Sequence, residues 1–197
     1  MRIKLPEHHR MATPGDDREL AELGNMAGEG MPYYLWSKMA GEGQTAWDVG
    51  LERARRESGA FSYRNAVVRE ADGQVGATLI GYPLADVPEP VDYPELPPMF
   101  VPLQQLEDRV PGTWYVNILA TYPQYRGRGF GEEMLAIAES LARASGRQGL
   151  SIIVSDANAG ARRLYERCGY GEIAQRPMVK EDWQNPGENW VLLLKKF

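Results

Sequence analysis

"YPQYRGRGFGEEML", Tyr122 to Leu135, is the stretch on which the reading of this chain turns. Three glycines and two arginines follow one proline, and the segment then passes without a break into a helical pattern. Ahead of it, "TWYVNILAT", residues 113–121, is rich in β-branched and aromatic residues and reads as a strand. Behind it, residues 129–145 read as a helix with Met134, Leu135, Ala138, Leu141 and Ala142 on one stripe. A strand that feeds a glycine-rich turn into a helix N-terminus builds an anion site. The first amides of a helix have no internal acceptor, and the helix dipole adds positive potential there. Glycine removes the Cβ that would keep a ligand off the backbone. Arg126 and Arg128 add forked donors suited to phosphate oxygens. The stretch predicts a phosphate or pyrophosphate cradle; its bland alternative is a tight turn with two solvated arginines.

Two well-known cradles do not fit. The dinucleotide pattern G-x-G-x-x-G, begun at Gly127, reaches Glu132 where its third glycine belongs; begun at Gly129, it reaches Met134. The Gly-Lys-Ser/Thr of a P-loop is absent from the sequence. What remains is Arg-x-x-Gly-x-Gly, carried by Arg126, Gly129 and Gly131.

Outward from the loop the chain reads as mixed α/β. "RIKL" with "HRMA" predicts a short, irregular first strand, and "TPGDDRELAELGNMAGEG" a helix capped by Thr13 or Asp16. "MPYYLWSKMAGEG" and "AWDVGLERARRES" predict two further short helices. A strand near 61–70, a turn at Asp72-Gly73 and a strand near 74–82 make a hairpin signal. The proline-rich residues 83–98 predict a long connection of the kind that forms lids and binding loops. "MFVPLQQLEDRV" reads as a short helix. After the loop and its helix come a buried strand, "GLSIIVSD", and a helix, "NAGARRLYERCG", which Gly169 ends. Two final strands, "YGEIAQRPMVKED" and "ENWVLLLKKF", complete the order.

The 197 residues suffice for one domain with a real core. Hydrophobic content of 43% and charged content of 25% are those of a globular protein. A net charge of −5 disfavours non-specific binding to nucleic acid or an anionic membrane. No apolar run reaches membrane-spanning length, and the N-terminal residues carry no apolar core of a secretory signal. A single cysteine, Cys168, cannot form an internal disulfide. The expectation is a cytoplasmic protein.

The Arg-x-x-Gly-x-Gly loop resembles the acyl-CoA pyrophosphate loop of the GNAT superfamily of N-acetyltransferases, and "LATYPQYRGRGFG" is similar to that family's strand, bulge and loop. A second stretch strengthens the resemblance. "NAGARRLYERCGY" resembles the family's later motif N-x-x-A-x-x-L/F-Y-x-x-x-G-F/Y through Asn158, Ala161, Leu164, Tyr165, Gly169 and Tyr170. Together the two motifs cover residues 113–171; the first half of the chain agrees only in the order of its elements.

The resemblance implies a single GNAT-like domain over residues 1–197, with a mixed, mostly antiparallel sheet of about six to seven strands flanked by helices. It implies transfer of acetyl from acetyl-CoA to a primary amine by direct attack in a ternary complex. Backbone amides of Arg126, Gly127, Arg128, Gly129, Phe130 and Gly131 would hold the pyrophosphate. Leu119, Ala120 and Thr121 would pair with the pantetheine arm and offer an oxyanion donor. Tyr165 would protonate the departing thiolate, or else is a core aromatic on the helix stripe. Asn158 would cap its helix, bind the pantetheine, or both.

Where many relatives carry a glutamate base on this strand, the chain has Asn117, which cannot take a proton. The base is then a carboxylate from elsewhere or a chain of waters; Glu29, Glu42 and Asp48 read first as surface charges. Met31, Tyr33, Tyr34, Trp36, Tyr82 and Trp183 would cage an ammonium or pack an apolar acceptor, unless they are core. His8 and His9 are neighbours on opposite sides of a strand and cannot chelate together, so no metal is expected. The rival functions are acetylation of a protein N-terminus or lysine, and a non-catalytic acyl-CoA sensor. A monomer and a homodimer both remain open.

Overall fold

The computed structural model describes residues 3–88 and 90–197. Arg2 of the first expected strand and Glu89 of the proline-rich stretch therefore lie outside the described residues. Contacts divide the chain into two compact units.

The first unit comprises Ile3–Tyr82 and Asn117–Ile137. Its helices are α1 (Asp17–Ala27), α2 (Met31–Met39) and α3 (Ala46–Ala54). A capping box precedes α1: Asp16 accepts from the backbone and hydroxyl of Thr13 at 2.7 and 2.9 Å. Arg10 grips the same carboxylate through two nitrogens at 2.8 Å each, and this fork holds Asp16 below the usual carboxylate range. Thr45 and Asp48 repeat the box ahead of α3, so Asp48 is a capping residue.

The first strand, β1 (His9–Met11), is confined to three residues. It pairs antiparallel with β2 (Ala66–Ala71), which pairs antiparallel with β3 (Gln74–Pro83). The hairpin turn has Asp72 at φ 54° and Gly73 at φ 76°, the two positive values of a type I′ turn. β2 starts later than the sequence pattern suggests. The Ser62 hydroxyl bonds the Arg56 carbonyl and accepts from Arg64 N, and residues 63–65 form a 3-10 turn instead of strand. Leu20, Leu23, Val68 and Ile80 form the unit's core with Ile118 and Ala120 packed on it. A second cluster gathers Ala21, Trp36, Ala46 and Val49.

The second unit comprises Pro83–Val116 and Ala138–Phe197. Its elements include α4 (Val101–Glu107), β5 (Gly149–Ser155), α6 (Ala159–Arg167), β6 (Gly171–Pro177) and β7 (Asn189–Lys196). β4 (Trp114–Thr121) and α5 (Phe130–Ala144) run through both units. Trp114–Val116 pairs parallel with Leu150–Ile152, a pairing that requires a crossover connection, supplied by α5. β7 pairs antiparallel with both β5 and β6. The strand order is β1-β2-β3-β4-β5-β7-β6, the mixed, mostly antiparallel α/β sheet expected. Leu106, Leu150, Leu192 and Leu193 are fully buried. The proline-rich stretch carries a 3-10 turn at Tyr93–Glu95, and another begins at its last residue, Pro98.

One half-buried acid has a measurable consequence. Burial lifts the Glu107 carboxyl at the end of α4 to about 7, and Asp108 beside it adds to the effect. An unfolded glutamate titrates near ~4.3. The folded state therefore holds this proton more tightly than the unfolded one. Its stabilising contribution is complete below ~4.3 and is lost as pH rises through about 7. Glu107→Gln is expected to stabilise the protein by about 1–2 kcal/mol at pH 8, discounted for partial exposure, and by nothing at pH 4. Thermal melts of both proteins at the two pH values check it; an equal gain at both would contradict the assignment.

Candidate active site

The glycine-arginine loop begins where β4 ends. Tyr122 N bonds the Gly76 carbonyl at 3.0 Å, and Pro123–Tyr125 make a 3-10 turn. The chain then passes Gly127 at φ 75° and Gly129 at φ 85°, left-handed values that favour glycine. Beyond the immediate chain neighbours, no atom of the described residues lies within 4 Å of where a Cβ would stand at either position, so this backbone faces open space. Gly131 lies inside α5. The Gly129 carbonyl accepts from Glu132 N at 3.0 Å and Glu133 N at 3.1 Å. The amides of Phe130 and Gly131 come before this first capture, where a helix has no acceptor for them. Arg126 is exposed and makes one long contact, Nε to the Thr121 carbonyl at 3.4 Å. Arg128 stands 3.7 Å from Asp72, its guanidinium 5.4 Å from the rings of both Tyr125 and Phe130. Open glycines, helix-start amides and two cations fit an anionic ligand.

Before the loop, β4 offers strand backbone. Its ladder with β5 covers Trp114–Val116, and the half-buried Asn117, Leu119, Ala120 and Thr121 follow beyond it. Ile118, Ala120 and Tyr122 pack on the core beside α1, so alternation turns Asn117, Leu119 and Thr121 to the other face. Tyr122 donates to Glu22 on α1 at 2.6 Å; Glu22 also accepts from Arg18 at 2.9 Å and is held below the usual carboxylate range. Nearby lies an open polar hollow of about 620 Å³ lined by Arg10, Glu19, Glu22, Glu70, Tyr122 and Gln124 among others. None of the residues 126–131 lines it.

In the second unit, Asn158 caps α6, its Oδ1 accepting from Ala161 N at 3.1 Å. Tyr165 is 5% exposed. Its hydroxyl takes no hydrogen bond among the described residues, and burial pushes the phenol above its ordinary range. Tyr170 lies 5.8 Å away ring to ring, and its own hydroxyl is buried without a partner among the described residues. Cys168 is half-buried on the same helix end.

The expected acceptor residues separate. Tyr33 is 42% exposed and meets Trp47 at 5.3 Å; Trp36 is 4% exposed and meets the same Trp47 at 6.0 Å. Trp36 belongs to the core cluster, fitted so closely that a Cβ on Gly50 would lie 2.6 Å from its ring. Tyr34 already carries a cation, Lys38 Nζ, 4.5 Å over its ring. Met31 opens α2, and Tyr82 is half-buried near the end of β3. Trp183 belongs to the other unit, where it stacks on Trp190 at 5.9 Å. Glu29 holds a left-handed φ of 53° before α2, and Glu42 is exposed. His8 is exposed to solvent in a turn, while the side chain of His9 is covered and lies 3.4 Å from Glu133. Among the described residues no group of three His, Cys, Asp or Glu could hold a metal, and no helix is long and apolar enough to cross a membrane.

Residues 42–170 match the family described as "Acetyltransferase (GNAT) family". A Bacillus subtilis (strain 168) protein, "Uncharacterized N-acetyltransferase YycN", is 41% identical over 58 residues, 29% of this chain and only 37% of its own length. A solved structure titled "The crystal structure of acetyltransferase" superposes with a TM-score of 0.65 at 22% identity, covering 95% of this chain and 98% of that one. A putative streptothricin acetyltransferase from Bacillus anthracis str. Ames, in complex with acetyl coenzyme A, gives 0.50 at 15% identity over 67% of this chain and 61% of its own. At these identities the two structures establish a shared fold.

Proposed function

The chain belongs to the GNAT family of acetyltransferases, and on that premise we propose that it is an N-acetyltransferase moving acetyl from acetyl-CoA to a primary amine of a small molecule. The observation that carries the proposal is the loop: positive-φ glycines facing open space at the start of α5, next to two arginines. In this reading the amides of residues 126–131 hold the pyrophosphate. Leu119, Ala120 and Thr121 pair with the pantetheine arm, and one of their amides donates to the thioester oxygen as charge develops there. The amine nitrogen attacks the thioester carbonyl, the carbon–sulfur bond breaks, and the thiolate takes the proton of Tyr165. A tyrosine hydroxyl committed to no protein acceptor supports that role. Asn158 caps α6 and so fixes the start of the helix that bears Tyr165.

The attacking amine must also lose a proton. Asn117 cannot accept it and Asp48 is committed to its helix cap, so we assign that step to a chain of waters or to a carboxylate from elsewhere in the protein. Tyr33 and Tyr34 are the acceptor-side aromatics we retain, with Tyr82 and Asn117 as further contacts. We take residues 1–197 to work as one acetyltransferase domain, located in the cytoplasm.

The test is calorimetric titration with acetyl-CoA, followed by thiol release against a panel of small amines, lysine peptides and free N-terminal peptides. Binding with release for small amines supports the proposal. Release only with peptides would replace it with a protein acetyltransferase. Binding with no release across the panel would favour an acyl-CoA sensor.

A further inference from the structure

Glycines that open a cradle to its ligand also leave it slack, because they add backbone freedom. The structure shows what restrains this one. Tyr125 and Phe130 flank the loop, are 7% and 3% exposed, and stack at 6.0 Å with 22° between their planes. Gly76 on β3 makes room for both rings: a Cβ there would stand 3.1 Å from each. The Tyr125 hydroxyl reaches the Ala71 carbonyl at 3.4 Å. Over the Phe130 ring, 3.8 Å from its centroid, lies the guanidinium of Arg69 on β2. The Arg69 side chain is 15% exposed, with Nε 3.2 Å from Glu133 Oε2. That oxygen is also 3.4 Å from Nε2 of His9, a long contact to a side chain that is 3% exposed. Arg69 thus touches the first residue of α5 and, through Glu133, the fourth.

From this geometry we propose that Arg69, assisted by Glu133 and His9, is a positioning residue for acetyl-CoA. It locks Phe130, and with it the adjoining amides of Gly129 and Gly131, in the orientation the pyrophosphate meets. Arg69 itself makes no phosphate contact, since its cation is covered by Phe130 and held by Glu133. Two acidic residues open α5, Glu132 and Glu133. Turning Glu133 toward Arg69 and His9 offsets one negative charge that would otherwise oppose an anion at this helix start. Preorganisation of this kind acts on affinity, because an ordered cradle loses less freedom when the ligand arrives.

The inference rests on the cradle reading above. The experiment is titration of acetyl-CoA into the full chain and its Arg69→Met, Arg69→Lys and Glu133→Gln variants, each first shown folded by circular dichroism, with steady-state kinetics on whichever amine the panel identifies. Arg69→Met is expected to raise Kd about tenfold, the combined weight of a largely buried cation–π contact and its ion pair. KM for acetyl-CoA should rise in step while kcat stays within about twofold, since the reacting groups are untouched. Arg69→Lys keeps the charge but not the planar contact and should fall between. A folded Arg69→Met variant with unchanged Kd overturns the proposal, as does one whose kcat falls while KM holds. If Arg69→Met does not fold, Glu133→Gln decides: a rise in Kd supports the lock, and an unchanged Kd overturns it. Failure of the unaltered chain to bind acetyl-CoA would instead overturn the cradle reading.

Discussion

Gly129→Glu is expected to abolish measurable binding of acetyl-CoA, weakening it by at least about a hundredfold, through a like charge set against the pyrophosphate. Two observations make this a test of the site rather than of the fold. Space around Gly129 is open: beyond its chain neighbours, a Cβ there meets no atom of the described residues within 4 Å. The backbone there has φ 85°, so any L-residue is strained, by about 1–2 kcal/mol, which a folded domain tolerates. Gly129→Ala carries the same strain without the charge and should weaken binding far less. Calorimetry on the two variants separates charge from strain. Wild-type affinity in the glutamate variant would mean that the loop is only a turn.

The second large effect falls on Tyr165. Tyr165→Phe should lower kcat about a hundredfold, the lower end of what a general acid contributes, with little change in the Kd of acetyl-CoA. The phenylalanine keeps the ring in its buried place between Tyr170 and the helix stripe, and the lost hydroxyl breaks no protein hydrogen bond. Stability should therefore hold. Burial raises the phenol above its ordinary value of ~10. The proton to be donated is thus present throughout the neutral range, and the wild-type kcat profile should show no loss of this acid below pH ~10. Unchanged turnover in the variant would leave Tyr165 as packing, with departure of the thiolate unassisted.

The parts of the molecule legible in the sequence are those where a local rule acts within a few residues. Asp72-Gly73 announced the hairpin because both positions need positive φ. Thr13 and Asp16 announced a helix start because capping acts within three residues, whereas Asp48, which reads as a surface charge, caps α3 together with Thr45. Gly127 and Gly129 announced an unusual backbone, and both hold left-handed φ. Phe61 to Asn65 misled, since their alternation mimics strand while a serine hydroxyl ties the backbone into a turn.

The candidate site was legible only along the chain. Trp36 could not be told from a ligand-facing aromatic until α3 was folded against it and Gly50 admitted its ring. Arg69 and Glu133 stand 64 residues apart, and each reads as an ordinary surface charge until the sheet brings β2 to the first turn of α5. The pairing of Tyr122 with Glu22 spans 100 residues and is hidden for the same reason. No local signal distinguishes such pairs, because their partners are chosen by topology.

The place of β7 carries a consequence for biosynthesis. β6 is translated first, yet the strand on which its backbone hydrogen bonds depend is β7, which also completes β5. Until residues 189–196 are available, β6 has no strand to pair with and β5 lacks its antiparallel neighbour. This side of the sheet therefore closes after synthesis has passed it. Before Asn189–Lys196 takes its place between them, β5 and β6 each carry an unpaired strand edge, the kind of edge through which chains associate wrongly.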